Sequence, residues 1–278
     1  MTQPTHDELR ARAAATYNAA SDHYDAPENT FWGRYGSRTI DRLALQPGMR
    51  VLDVCAGSGA SAIHAATVVG RTGGVLAVDC ADDLLGRLRA KAQARGYDHL
   101  EARSGDLMHL DTNGEQFDAV VCVFGIFFVA DMVEAVRRLW RAVAPGGRLA
   151  VTTWGPRLFE PLNTQFWDAV RAERPDLYKG FNPWDTVTEP ASLRQLLLDG
   201  GVAEAQVVAE TGRHPIPSPQ AWWALVMGSG YRGTVERLTL EARDRVRAHN
   251  LAYVVDNRVA EVETNVVYAV ASKRAGAS

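Results

Sequence analysis

Lysine is nearly missing from this 278-residue chain: Lys91, Lys179 and Lys273 stand against 27 arginines. The 30 basic residues are outnumbered by 33 acidic ones, leaving a formal charge of −3. A chain built to hold nucleic acid or an acidic membrane surface carries a basic excess. This one has none, and its arginines, set among abundant Ala and Gly, read as coding bias rather than phosphate recognition. Cysteine is scarce too. Cys55, Cys80 and Cys122 form an odd set without C-x-x-C spacing, which argues against a disulfide framework or a zinc ribbon and for a reducing compartment. Long apolar runs are lacking: the longest, from Ala119 to Ala130, falls short of the roughly 20 residues that cross a bilayer. The opening MTQPTHDELR has no basic stretch leading into an apolar one, so no secretory signal is expected. What is present is an ordinary globular balance, 46% hydrophobic and 23% charged. A cytoplasmic enzyme or binding module with no metal site and no membrane partner is expected, and the sequence is compatible with a homo-oligomer.

Apolar runs recur at 49–55, 74–80, 117–127 and 147–154, with helix-like segments at 61–69, 82–95 and 131–143 between them. That alternation predicts βαβ units and an α/β, doubly wound, mostly parallel sheet, with a third strand ending near Ser104. Two helical stretches, about 5–20 and 34–45, precede it. After Trp154 the rhythm breaks. Five prolines and six aromatics crowd residues 155–190, followed by a short helix (191–199), a strand (205–210), helices from about 220 and 240–255, and a final strand at 263–271. The chain reads as one domain: a helical cap (1–45), a core (46–155), a helical lid and substrate region holding the sixth strand (156–262), and a last strand with tail (263–278).

In an open α/β sheet, ligands sit outside the carboxyl ends of the strands. The first such end reads Asp53-Val54-Cys55-Ala56-Gly57-Ser58-Gly59-Ala60-Ser61. Glycines there let the backbone approach a ligand closely. The run Gly57 to Ala62 also satisfies G-x-G-x-x-A, the dinucleotide fingerprint. An acid beside that turn repels a pyrophosphate, however, and welcomes a ligand carrying ammonium and sulfonium charge. Asp79 ends the second strand 26 residues on, placed to accept two ribose hydroxyls. Asp106, in Ser104-Gly105-Asp106-Leu107, is placed to accept from an adenine amine while the Leu107 N–H serves a ring nitrogen. One carboxylate per strand end points to S-adenosylmethionine (SAM).

The segments VLDVCAGSG, VLAVD, SGDL, FDAVV and Val143-Ala144-Pro145-Gly146-Gly147 resemble the class I SAM-dependent methyltransferases, in their UbiE/Coq5-like small-molecule branch, over about residues 46–155. The stretch Tyr17 to Asp25 resembles that branch's amino-terminal Y-D-x-x-A-x-x-Y-D helix, with Asn18 replacing its first Asp. The resemblance implies a Rossmann-like sheet of seven strands. It also implies cofactor contacts at Tyr24, Trp32, Asp53, Cys55, Ala56, Gly57, Gly59, Ser61, Asp79, Cys80, Asp106, Leu107, Phe124 and Ile126. One departure stands out: the family's first motif glycine is Cys55 here, a side chain that fits only if the backbone does not need positive φ.

Methyl transfer to a small, apolar or aromatic acceptor is the expected activity. Glu160 after the fifth strand and His214 in the proline-rich stretch are candidate general bases, needed only if the nucleophile must lose a proton. The segment Val123-Phe124-Gly125-Ile126 lacks the N/D-P-P-Y pattern of adenine or glutamine methylation. Five of seven tryptophans lie at or beyond the fifth strand, suggesting an aromatic-walled pocket. The alternatives are a SAM-binding homologue with a different reaction, a non-catalytic binding module, or an NAD(P)-dependent oxidoreductase, the last disfavoured by Asp53 and Asp106.

Overall fold

The alternation of apolar runs becomes alternating strand and helix in the computed structural model, which describes residues 5–275; residues 1–4 of the expected cap and 276–278 of the expected tail lie outside the described residues. Helices α1 (His6–Tyr24) and α2 (Phe31–Asp41) come first. Then follow β1 (Arg50–Val54), α3 (Ala62–Val69), β2 (Gly74–Asp79), α4 (Asp82–Ala94), β3 (Leu100–Ser104), β4 (Phe117–Val123), α5 (Met132–Ala142) and β5 (Val143–Trp154). A Thr5–Glu8 capping box opens α1, and the Asp131 carboxylate caps α5 through the Glu134 N–H. The remaining elements are α6 (Leu162–Glu173), α7 (Pro190–Asp199), β6 (Gln206–Glu210), β7 (Arg213–Pro215), α8 (Pro219–Met227), α9 (Arg232–Val235), α10 (Leu240–Asp256), β8 (Glu261–Glu263) and β9 (Val266–Ser272).

Seven strands form one sheet in the order β3-β2-β1-β4-β5-β9-β6. The pairs among β1 to β5 run parallel, while β9 runs antiparallel to both β5 and β6. The mostly parallel seven-stranded, Rossmann-like sheet is therefore as expected. Parallel strands are covered on both faces, and the side-chain alternation shows how. Val51, Val75, Ala77, Ala119, Val121 and Ala150 pack with Ile40, Ala65 and Leu88 of the cap and of α3 and α4. Leu52, Val54, Val78, Val120, Leu149 and Val151 face the other way, towards Val136 and Leu139 of α5 and Leu197 of α7.

The region after β5 differs from expectation in three respects. Residues 162–173 form α6, a helix hidden in the sequence by the prolines that flank it. The expected final strand is two, because Thr264 and Asn265 break it; β8 pairs antiparallel with the distant β7 in a separate two-stranded sheet. Residues 190–210 belong to the core, since α7 and β6 pack on the main sheet. In the stretch expected as a lid, α6 packs on α10 and α10 on α8, and the group meets α1 through α8 and α9. Fully buried Trp222 ties α8 to α10 by donating its indole N–H to the Asn250 side chain at 2.9 Å.

Candidate functional site

The strand-end turn of β1 is bent by Cys55 (φ +60°), Gly57 (φ +54°) and Gly59 (φ +89°). The backbone at residue 55 does need positive φ, so the condition under which a cysteine fits without strain is not met. A non-glycine residue there carries about 1–2 kcal/mol of strain. Space for the thiol comes from the next strand end. A Cβ on Gly125 would lie 2.3 Å from the Cys55 Cβ and 2.6 Å from its sulfur. Residue 55 has gained a side chain where residue 125 has none. Phe124, also at positive φ (+54°), lays its ring on Trp154 at 3.6 Å between centroids. Such residues in strained backbone gather at functional sites.

Asp79 links two strand ends, its oxygens accepting from the N–H groups of Gly57 and Ala81, both at 2.8 Å. Each oxygen keeps a lone pair for a ribose hydroxyl. Burial raises its pKa above the ordinary carboxyl range despite these bonds. Asp53 lies deeper. It is fully buried, accepts from the Ser61 hydroxyl at 2.6 Å, and its Oδ1 has no partner among the described residues. Desolvation, with nearby Asp79 adding to it, pushes its pKa up to about 7 against the pull of Ser61. Two adjacent carboxyls held up by burial form a place where a cation is worth most. Asp106 is the opposite case. Its pKa is lowered, since burial is outweighed by bonds from His6 (2.6 Å), His109 (2.9 Å) and the Met108 N–H (3.0 Å). The donor atoms of His6, Asp106 and His109 lie close enough to hold a metal ion, but these hydrogen bonds already account for the cluster.

Two small cavities follow this row of acids. One, of about 40 Å³, lies against Asp79, Cys80, Asp106 and Leu107, where an adenosine would rest. The other, of about 70 Å³, lies against Tyr24, Trp32, Cys55, Gly57, Asp79 and Phe124, with no basic residue in its wall. Tyr24 stacks flat on Trp32 at 4.8 Å. Nine of the fourteen expected cofactor residues thus border these cavities. Asp53, Ala56, Gly59, Ser61 and Ile126 border neither. Gly59 makes room for Leu88 of α4, Ser61 serves Asp53, and Ile126 is wholly buried in the core. Burial holds the Cys80 thiol up to about 12, and the neighbouring Cys122 thiol, together with burial, raises that of Cys55, so both stay protonated and behave as pocket wall.

A third cavity, of about 300 Å³, lies under the lid. Its wall includes Trp154, Phe159, Trp167, Trp184 and Tyr231, and it shares Tyr17, Trp32 and Phe128 with the cofactor side. Three of the five late tryptophans line it; Trp222 belongs to the lid core instead. Neither candidate base reaches it. Glu160 accepts from Asn163, the Thr164 hydroxyl and the Thr164 N–H, sitting as the acid at the start of α6. His214 is buried, donates from Nε2 to the Glu28 carbonyl at 2.7 Å and stands edge-on to Phe31. In the described structure each side chain holds a loop in place, and Glu160 meets the cavity only through Asn163 and the Tyr231 hydroxyl. Tyr17 and Lys179 were not among the expected site residues. Tyr17 lay within the quoted amino-terminal pattern, and its position two helical turns before Tyr24, on the same face of α1, was the available signal.

A seven-stranded sheet with β9 reversed, a glycine turn after β1 and acids at the ends of β1 and β2 defines the class I SAM-dependent methyltransferase fold. The chain belongs to the ubiE/COQ5 methyltransferase family, whose sequence model matches residues 14–168. Similar curated proteins include the ubiquinone/menaquinone biosynthesis C-methyltransferase UbiE of Psychromonas ingrahamii (30% identical; 56% of this chain, 61% of that protein). Another is the 2-phytyl-1,4-naphtoquinone methyltransferase of Synechocystis sp. (30%; 54% and 64%). The matches span about three fifths of these relatives' length. Among solved structures, the [4+2]-cyclase SpnF shares the fold over 99% of both chains (TM-score 0.58, 16% identity). Phosphoethanolamine N-methyltransferase 2 of Haemonchus contortus, solved with S-adenosyl-L-methionine, shares it over 96% of this chain and 60% of that one (TM-score 0.57, 17%).

Proposed function

We propose that this chain binds SAM along the ends of β1 to β4 and methylates a small aromatic molecule held under the lid. The observation that carries this reading is the common wall: Tyr17, Trp32 and Phe128 border both the glycine-turn cavity against Asp79 and the aromatic one. Asp79 would take the ribose, Asp106 and Leu107 the adenine, and the glycine turn the methionine end. Asp53 would act from beneath, its unpartnered oxygen adding negative potential under the ammonium. Bound there, SAM supplies an electrophilic methyl group. The protein's part is to hold the acceptor in line with it and to exclude water with aromatic walls; positioning of this kind can supply on the order of 7–11 kcal/mol.

The two cofactor cavities are far smaller than the several hundred Å³ of a typical ligand site. Binding therefore requires α1, which carries Ala13 over both and Tyr17 over the second, to lift. Relatives named for ubiquinone, menaquinone and phytyl-naphtoquinone methylation support an aromatic ring as the acceptor, and the cavity of about 300 Å³ suits a one- or two-ring compound. The alternative of a fold relative that carries out a different reaction remains distinguishable by product. The test is calorimetric titration with SAM and with NADH, followed by assay for S-adenosylhomocysteine with aromatic acceptors. SAM binding without NADH binding, and product formed only when an acceptor is added, are expected. Tight NADH binding without SAM binding would sink the proposal.

A further inference from the structure

Resting on that reading of the aromatic cavity, we infer that its acceptor arrives as an anion: an aromatic acid whose carboxylate is held at the cavity rim by Lys179 and Arg12. Among the described residues, the charged groups in the wall are these two cations, and no Asp, Glu or His borders the cavity. The remaining titratable groups there are Tyr17 and Tyr231. Burial raises both phenols well above their ordinary range, so they stay neutral and donate rather than remove protons. Tyr231 already donates to Asn163 at 2.7 Å. Among the described residues the wall thus presents net positive charge where an acceptor enters.

The scarcity of lysine sharpens the point. Lys91 is spent on Asp25 and Ser58, and Lys273 on the carbonyls of Trp140 and Val143. Lys179 has no carboxylate or hydrogen-bond partner among the described residues, and neither does Arg12. The Lys179 ammonium lies 5.7 Å from the centre of the Trp167 ring, one of the cavity's aromatic walls. The residue remains exposed, but its ammonium end is partly desolvated there and faces repulsion from Arg237; both effects lower its pKa. An uncompensated cation over an aromatic wall gains most from a ligand anion lying beside the ring. A flat aromatic body against Trp167 and Trp154, with a carboxylate reaching the rim, satisfies both features at once. A purely apolar acceptor satisfies only the walls.

The test measures binding of 1-hydroxy-2-naphthoate and of 1-naphthol to the SAM-loaded protein, by tryptophan fluorescence quenching. The naphthoate is expected to bind at least about tenfold tighter, in line with a charge-assisted contact of more than about 1.4 kcal/mol. In the double variant Lys179→Gln, Arg12→Gln that preference disappears, naphthol affinity is unchanged, and SAM affinity is retained. Because the rim is exposed, the preference also shrinks as salt is raised. Equal affinities in the parent protein, a preference that survives in the double variant, or no binding of either compound while SAM binds would each overturn the inference alone. Failure of SAM itself to bind would overturn the reading beneath it.

Discussion

The two halves of the site are electrostatic opposites. Along the sheet edge, Asp53 is a fully buried acid and Asp79 a half-buried one, and the cavity against Asp79 on the glycine-turn side has no basic residue in its wall among the described residues. Under the lid, a few ångströms beyond Tyr17 and Trp32, the charged groups are Lys179 and Arg12 with no acid. One side suits a cation and the other an anion, and aromatic rings separate them. The difference teaches that charge can tell the two ligands apart. Charge of each sign can be selected by its own cavity, and the boundary residues then keep water out of the path between them.

The largest expected effect comes from removing the acid shared by both cofactor cavities. Asp79→Ala takes away the acceptor of the Gly57 and Ala81 N–H groups and the ribose contact together. SAM affinity should fall on the order of a hundredfold, about 2.7 kcal/mol, while naphthoate still quenches tryptophan fluorescence. Unchanged SAM affinity by calorimetry would break the comparison at its first half.

A second effect follows from the raised carboxyls. With its folded pKa near 7, Asp53 binds its proton more tightly in the folded than in the unfolded chain. Its contribution to stability is therefore fully present below the ordinary carboxyl range and is lost as pH rises towards about 7. A cationic ligand favours the ionised form, so SAM should bind more weakly at pH 5 than at pH 8 and release protons on binding near pH 6. Calorimetry in buffers of differing ionisation heat measures that release, and Asp53→Asn should remove most of it. Proton uptake instead of release would mean that no positive charge comes near these acids.

The strained turn yields a smaller effect, on stability. Gly125→Ala forces a methyl into the Cys55 side chain and should lower stability by about 1–3 kcal/mol, as overpacking does. Cys55→Gly should gain up to about 1 kcal/mol where relief of positive φ outweighs the added chain entropy. In the double variant the glycine has moved from one strand end to the other, and most of the Gly125→Ala loss should return. Additive effects in chemical denaturation would mean that the two positions are not exchanging space.

Much of this site was legible because strand-end chemistry follows chain order. Asp79, Asp106, Gly57 and the aromatic Phe124 fell where a doubly wound sheet had to place them. What the sequence concealed depends on three-dimensional packing. Prolines in residues 155–190 looked like helix breakers, yet Pro161 stands at the N-cap of α6, where its fixed φ and missing N–H are harmless. Asp53 read as a ligand contact, but strand parity turns its side chain into the layer beneath the turn. The hydrogen bonds of Glu160 and His214 go to neighbours that no local spacing announces.

The smallest expected effect concerns Glu160, and it separates a structural acid from a catalytic one. Its carboxylate accepts three hydrogen bonds at the first turn of α6, and it borders a cleft outside the aromatic cavity. Glu160→Gln keeps the side chain's shape and one acceptor oxygen while removing the charge that complements the helix amino terminus. Stability should drop by about 0.3–1 kcal/mol. Turnover with an aromatic acid acceptor should stay within about twofold, with no shift in the pH profile, since a lost general base contributes on the order of a hundredfold or more. A flattened pH profile together with such a loss in kcat would restore Glu160 as the base and remove the need for an acceptor that arrives already charged.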